Sequence, residues 1–203
     1  MVAGGNKHRG TINKEDAASP TAALESILLT ATIDAKEGRD VAIIDIPNAF
    51  VQTRIEYDND IVIMRLRGEL AKLMADTAPE IYRKHVTINR NGEAVLYVRA
   101  LNAIYGIMKA SLLFYIKFVK SLLSIGFELN PYDPCVANKT VENLQLTVVW
   151  HVDDLKVSHA LTKVVTRMAN WLKKTYKQLF SDGSGKMKIN RGKIHEYLAS
   201  PDH

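Results

Sequence analysis

The side chains best suited to chemistry in this sequence are two sets of carboxylates. Asp45 closes the run Asp-Val-Ala-Ile-Ile-Asp at 40–45 and is followed by Ile-Pro-Asn-Ala-Phe at 46–50. Asp153 and Asp154 are adjacent, inside Val-Val-Trp-His-Val-Asp-Asp-Leu-Lys-Val-Ser at 148–158. Both sets end runs rich in β-branched residues, the pattern of a buried strand. A carboxylate at the end of a core strand is costly to desolvate unless something pairs with it. Hard divalent cations such as Mg²⁺ prefer oxygen ligands and are the natural partner. Two such ions held by three carboxylates make the clamp used for in-line phosphoryl transfer.

The elements that must position these acids can be read from period and punctuation. Ser19-Pro20 reads as a helix start, with Ser19 as cap and Pro20 at the first helical position. Ala23, Leu24, Ile27, Leu28 and Ala31 then recur at helical spacing up to Gly38. Residues 40–46 and 61–66 read as strands, and 69–83 as a helix. Asn91-Gly92 between 86–90 and 94–99 is a hairpin signal. Leu112, Leu113, Ile116, Val119, Leu122 and Leu123 mark a helix that stops at Gly126. Residues 146–152 and 155–158 read as a hairpin with Asp153-Asp154 at its tip. Val164, Val165, Met168, Trp171, Leu172, Tyr176 and Leu179 mark a last helix, and 186–198 reads as a basic, extended stretch. Helices mixed with antiparallel hairpins predict an α+β fold.

Composition narrows the function classes. At 203 residues with 47% hydrophobic and 24% charged, the chain can bury a full core as one domain. The net charge of +5 suits a polyanionic partner. The excess concentrates at 163–193, where nine Lys or Arg face one acid, Asp182. Cys135 is the single cysteine, so a disulfide framework and a Cys-based metal cluster are excluded, and Cys135 itself reads as a buried apolar residue. Trp150 and Trp171 read as core. No apolar run reaches the roughly 18 residues of a membrane span, and the polar start lacks a signal core. The expected setting is therefore intracellular and cytoplasmic, with no membrane partner; oligomeric state is not legible.

Four stretches, in order over about 110 residues, carry a resemblance. They are Asp45-Ile-Pro-Asn-Ala-Phe50; Leu101-Asn-Ala-Ile-Tyr-Gly-Ile-Met-Lys-Ala110 with Phe114-Tyr115; Gly126-Phe127 through Asp133-Pro134-Cys135; and His151-Val-Asp-Asp154. Together they resemble the reverse transcriptase domain of copia-like retrotransposons. The resemblance implies a right-hand polymerase palm, a small antiparallel sheet backed by helices, with partial fingers and no thumb. It divides the chain into partial fingers and leading helix (1–39), palm core (40–160), and palm helix with basic segment (161–203). It implies an RNA- and DNA-directed DNA polymerase that adds dNTPs to a primer on an RNA or DNA template. Asp45, Asp153 and Asp154 would be the catalytic carboxylates and ligands for two Mg²⁺, or Mn²⁺. Phe50 would be a steric gate against a 2′-hydroxyl, beside Ala49, with Gly106 and Lys109 near the incoming nucleotide. His151, Lys186, Lys188, Arg191 and Lys193 would approach the nucleic acid, as would Tyr197-Leu198.

Departures from the family pattern are visible. His151 stands where the family usually has Tyr, Met108-Lys109 replaces Lys-Gln, Ser111 replaces Pro, and Ala199-Ser200 stands where Gly is usual. Lys7 and Arg9, before the first helix, are candidates to reach a triphosphate. Two further classes stay open at this stage: a nucleic-acid-binding remnant of such a polymerase without turnover, and another two-metal enzyme such as a nuclease.

Overall fold

A computed structural model describes residues 18–55, 61–107, 109–176, 186–192 and 194. The stretches 1–17, 56–60, 177–185 and 195–203, together with Met108 and Lys193, lie outside the described residues, so the readings of Lys7, Arg9, Lys193 and Tyr197-Leu198 are not met by structure. The chain is a mixed α/β fold built on antiparallel sheets.

The larger sheet has six strands: β1 (Asp40–Asp45), β5 (Glu128–Leu129), β6 (Val136–Val141), β7 (Leu144–His151), β8 (Asp154–His159) and β9 (Lys188–Arg191). Their spatial order is β5-β6-β7-β8-β1-β9, antiparallel throughout. Side chains alternate between its two faces. Ala42 and Ile44 of β1, Val148 and Trp150 of β7, and Leu155 and Val157 of β8 share one face by register. That face joins Phe114, Phe118 and Leu122 of helix α4 (Ala110–Ser124) and Val165, Met168 and Leu172 of helix α5 (Thr162–Thr175) in the main core. The ring of Phe118 meets that of Trp150 edge-on at 5.2 Å.

The opposite face is more polar. Helix α1 (Leu24–Lys36) covers part of it and places Asp34 against Lys156 of β8, a buried ion pair at 2.7 Å. The expected Ser19-Pro20 start is displaced, because the helix begins at Leu24 with no side-chain cap at Ala23. The buried Asp133 carboxylate does that work from a distance, accepting the Ala23 N–H at 3.0 Å and the Cys135 N–H at 2.8 Å. Of the apolar residues at helical spacing in α1, Ile27 packs against the main core. Leu24 and Leu28 are exposed, while Asp34 is buried, since the helix lies on a sheet face that presents a lysine.

A smaller sheet, β2 (Ile63–Arg67), β4 (Ala94–Arg99) and β3 (Thr87–Ile88), has the order β2-β4-β3. Its Leu66, Ala94 and Leu96 pack with Ala71 of helix α2 (Glu69–Thr77) in a separate core. The helix expected over 69–83 is interrupted at Ala78, before Pro79, and resumes as α3 (Pro79–Tyr82) and a 3-10 turn, because proline removes a backbone donor and restricts the residue before it.

Candidate active site

Backbone pairing delivers the acids to one place. Asp45 ends β1, Asp154 opens β8, and the two are direct cross-strand partners. Asp153 sits next to them on the β7–β8 turn, where its carbonyl accepts the Ile46 N–H at 3.1 Å. The ladder continues to either side, with Lys188 opposite Asp45 on β9 and His151 opposite Asp154 on β7. Cross-strand partners share a face. Lys188, Asp45, Asp154 and His151 therefore form one row across four strands, on the face turned away from α4 and α5.

The turn itself is strained. Val152 has φ 58°, a left-handed conformation. Primed hairpin turns need that geometry and usually place glycine or asparagine there. A β-branched residue in it is an outlier, and such strain concentrates at functional sites.

The charges in the row act on one another. Burial raises the Asp45 carboxyl above its ordinary range, the Asp153 charge raises it further, and Lys188 opposes both. Burial likewise raises Asp154, followed by the charges of Asp153 and Asp45, with His151 opposing. Tyr105 donates its hydroxyl to Asp153 Oδ2 at 3.2 Å. Burial and then the Asp153 charge push that phenol up to about 12, so it stays a donor at neutral pH. The Phe50 ring lies tilted against Tyr105 at 4.6 Å and edge-on to Phe114 at 6.3 Å.

The three carboxylates offer the kind of oxygen ligand that hard divalent cations prefer. The set is all oxygen, it raises its own proton affinity, and one lysine faces three carboxylates. Among the described residues, no three Asp, Glu, His or Cys side chains are gathered into a metal-binding group.

No family profile matches the chain, and no curated protein sequence matches it. Two solved structures show similarity. Apo telomerase from Candida tropicalis aligns at TM-score 0.42 and 10% identity, covering 93% of this chain and 34% of that one. Telomerase from the same organism, in complex with a TWJ fragment of telomeric RNA, aligns at TM-score 0.44 and 9% identity, covering 93% and 32%. The chain thus spans about a third of the telomerase chains it aligns with. Likeness at this level bears on neither activity nor ligand.

The remaining expected site residues scatter. Ala49 is fully buried, and its carbonyl accepts the Thr53 hydroxyl at 3.2 Å. Phe50 is 8% exposed and belongs to the main core, at the edge that meets Tyr105. Gly106 follows Tyr105 in a turn with φ 93°, a conformation that favours glycine. Lys109 immediately precedes α4. Lys186 is exposed and leads into β9. Arg191 is engaged elsewhere: it pairs with Asp40, at the end of β1 far from Asp45, and donates to Thr166 Oγ1 at 2.9 Å. Tyr105 has the contact that the sequence reading missed. Its signal was present, since it belongs to the Leu101–Ala110 stretch, but nothing local links it to Asp153.

Proposed function

We propose that the chain is the palm, with partial fingers, of an RNA- and DNA-directed DNA polymerase of the copia-like retrotransposon kind. The observation that carries this reading is the single row Lys188–Asp45–Asp154–His151 with Asp153 at its edge. Asp45, Asp153 and Asp154 would hold two Mg²⁺ ions, or Mn²⁺. When bound, these would neutralise triphosphate charge and make the primer 3′-hydroxyl a better nucleophile. The chain's own part is positioning. Tyr105 fixes the Asp153 carboxylate, and the β1–β8 ladder fixes the spacing of Asp45 and Asp154. Phe50 would meet the sugar of the incoming dNTP and reject a 2′-hydroxyl. Lys188, Lys186 and His151 would approach the primer–template, whose strand may be RNA or DNA.

Primer extension on both template types, with dNTPs and rNTPs offered separately, tests the reading. Asp153→Asn should abolish extension with either nucleotide. Phe50→Ala should leave dNTP use largely intact and admit rNTPs, because a steric clash acts on the difference between two substrates. An equal loss of both activities in Phe50→Ala would make Phe50 a core residue only. Duplex binding without any extension by the wild-type chain would favour the remnant without turnover.

A further inference from the structure

The smaller sheet has an open face that the polymerase reading leaves unused. In Met64-Arg-Leu-Arg67 and Leu96-Tyr-Val-Arg99, apolar and basic or aromatic residues alternate with period two. Met64, Leu66, Leu96 and Val98 fall on the face that packs with α2. By register, Ile63 lies opposite Arg99, Arg65 opposite Tyr97, and Arg67 opposite Val95, all on the other face. Thr87 of β3 extends it beside Val95. Arg65, Arg67 and Arg99 are exposed, and Ile63 and Tyr97 are 53% and 58% exposed. Among the described residues of β2, β4 and β3, none on this face is a carboxylate, and Val95 on it is buried. Among the described residues, none of the three guanidinium groups has a hydrogen bond or ion pair.

Three like charges on one pleated surface repel one another. An apolar residue and an aromatic ring beside them are poor company for water. Both costs are relieved by one kind of ligand, a polyanion that also carries flat apolar groups. We infer that the open face of the β2-β4-β3 sheet binds single-stranded nucleic acid. Backbone phosphates would meet Arg65, Arg67 and Arg99, and an unpaired base would stack on Tyr97. A duplex keeps its base faces hidden and could use only the arginines. The inference deepens the polymerase reading by giving an unpaired strand a hold outside the acidic site.

The test is fluorescence anisotropy of a labelled 12-nucleotide single strand with the full chain, in chelator, where no synthesis takes place. Failure of the catalytic reading therefore leaves this result untouched, and the reverse. Replacing Arg65, Arg67 and Arg99 together by Gln should weaken binding at least tenfold. It should also reduce the salt slope by about 2, at roughly 0.7 per phosphate contact on a single strand. Tyr97→Ser should weaken it about fivefold or more, by loss of base stacking, while Tyr97→Phe retains affinity. All these side chains are exposed, and circular dichroism checks that each variant folds. Unchanged affinity in the triple Gln variant would overturn the inference. So would polyglutamate competing as well as the oligonucleotide with no dependence on Tyr97, which would mark the face as a dock for an acidic protein.

Discussion

Asp45, Asp153 and Asp154 show how a residue's value depends on its neighbours. Each aspartate alone is an ordinary strand-end acid; once they are brought together, burial first and then the neighbouring carboxylate charges hold Asp45 and Asp154 above the usual carboxylate range. The consequence for stability has a definite sign. A raised folded-state pKa means that the folded chain binds more protons than the unfolded chain. The stability that Asp45 and Asp154 contribute should therefore be greatest in acid and fall as pH rises from about 3.8, the unfolded value, through the raised folded values. Asp45→Asn should flatten that fall in thermal melts recorded in chelator. Added Mg²⁺ should raise the melting temperature at pH 7 but not at pH 4, because a cation binds the ionised set. At the same scale, Tyr105→Phe removes one hydrogen bond to a charged group, worth about 1.5–3 kcal/mol. The expected result is a roughly tenfold or greater fall in kcat with little change in the KM for dNTP. A change in KM alone would assign Tyr105 to substrate binding instead.

Among the elements, α1 is held to the sheet by an unusual contact. Both side chains of the Asp34–Lys156 pair are less than 10% exposed, and Asp34 Oδ1 has no partner. Burial lowers the Lys156 ammonium, while the hydrogen bond and charge of Asp34 hold it up. Removing one partner strands the other in a poorly hydrated site. Asp34→Ala should therefore cost about 3–5 kcal/mol, whereas the double replacement Asp34→Leu with Lys156→Met should be near neutral or stabilising. Chemical denaturation of the two singles and the double gives the coupling directly. If the double loses as much as the sum of the singles, the pair contributes no interaction of its own and α1 is held by packing alone.

For the whole molecule, the relevant quantity is where the excess charge of +5 lies. Lys188 of β9 ends the acidic row and Lys186 precedes that strand, while Arg65, Arg67 and Arg99 lie on the smaller sheet. Binding to a primer–template should fall log-linearly with salt, by about 10- to 100-fold between 50 and 200 mM. It should differ little between template sequences, because phosphate contacts carry no sequence information. Anisotropy titrations at four salt concentrations decide this, and an affinity independent of salt would rule out the electrostatic partner.

Local pattern was enough to find the strands around Asp45 and Asp154, because alternation and β-branching are properties of consecutive residues. Glycine was enough to end two helices, at Gly38 and Gly126, both with positive φ. Buried Cys135 and Trp150 followed from residue type. Other features required the folded chain. Strand β6 went unread, since Val-Ala-Asn-Lys-Thr-Val lacks the apolar alternation of its neighbours and is recruited by pairing with β7. The surroundings of α1 were not legible, because helical periodicity reports where apolar residues fall, not which surface receives the helix, and here the receiving surface held a lysine. Arg191 read as a nucleic-acid contact, and pairs with Asp40, because charge alone does not name a partner. Asp45 and Asp153 are 108 positions apart. The sequence supplied the three carboxylates and the strands that carry two of them, while only the β1–β8 register set Asp45 beside Asp154, with Asp153 on the adjoining turn, since cross-strand distance is fixed by hydrogen bonding between segments and not by separation along the chain.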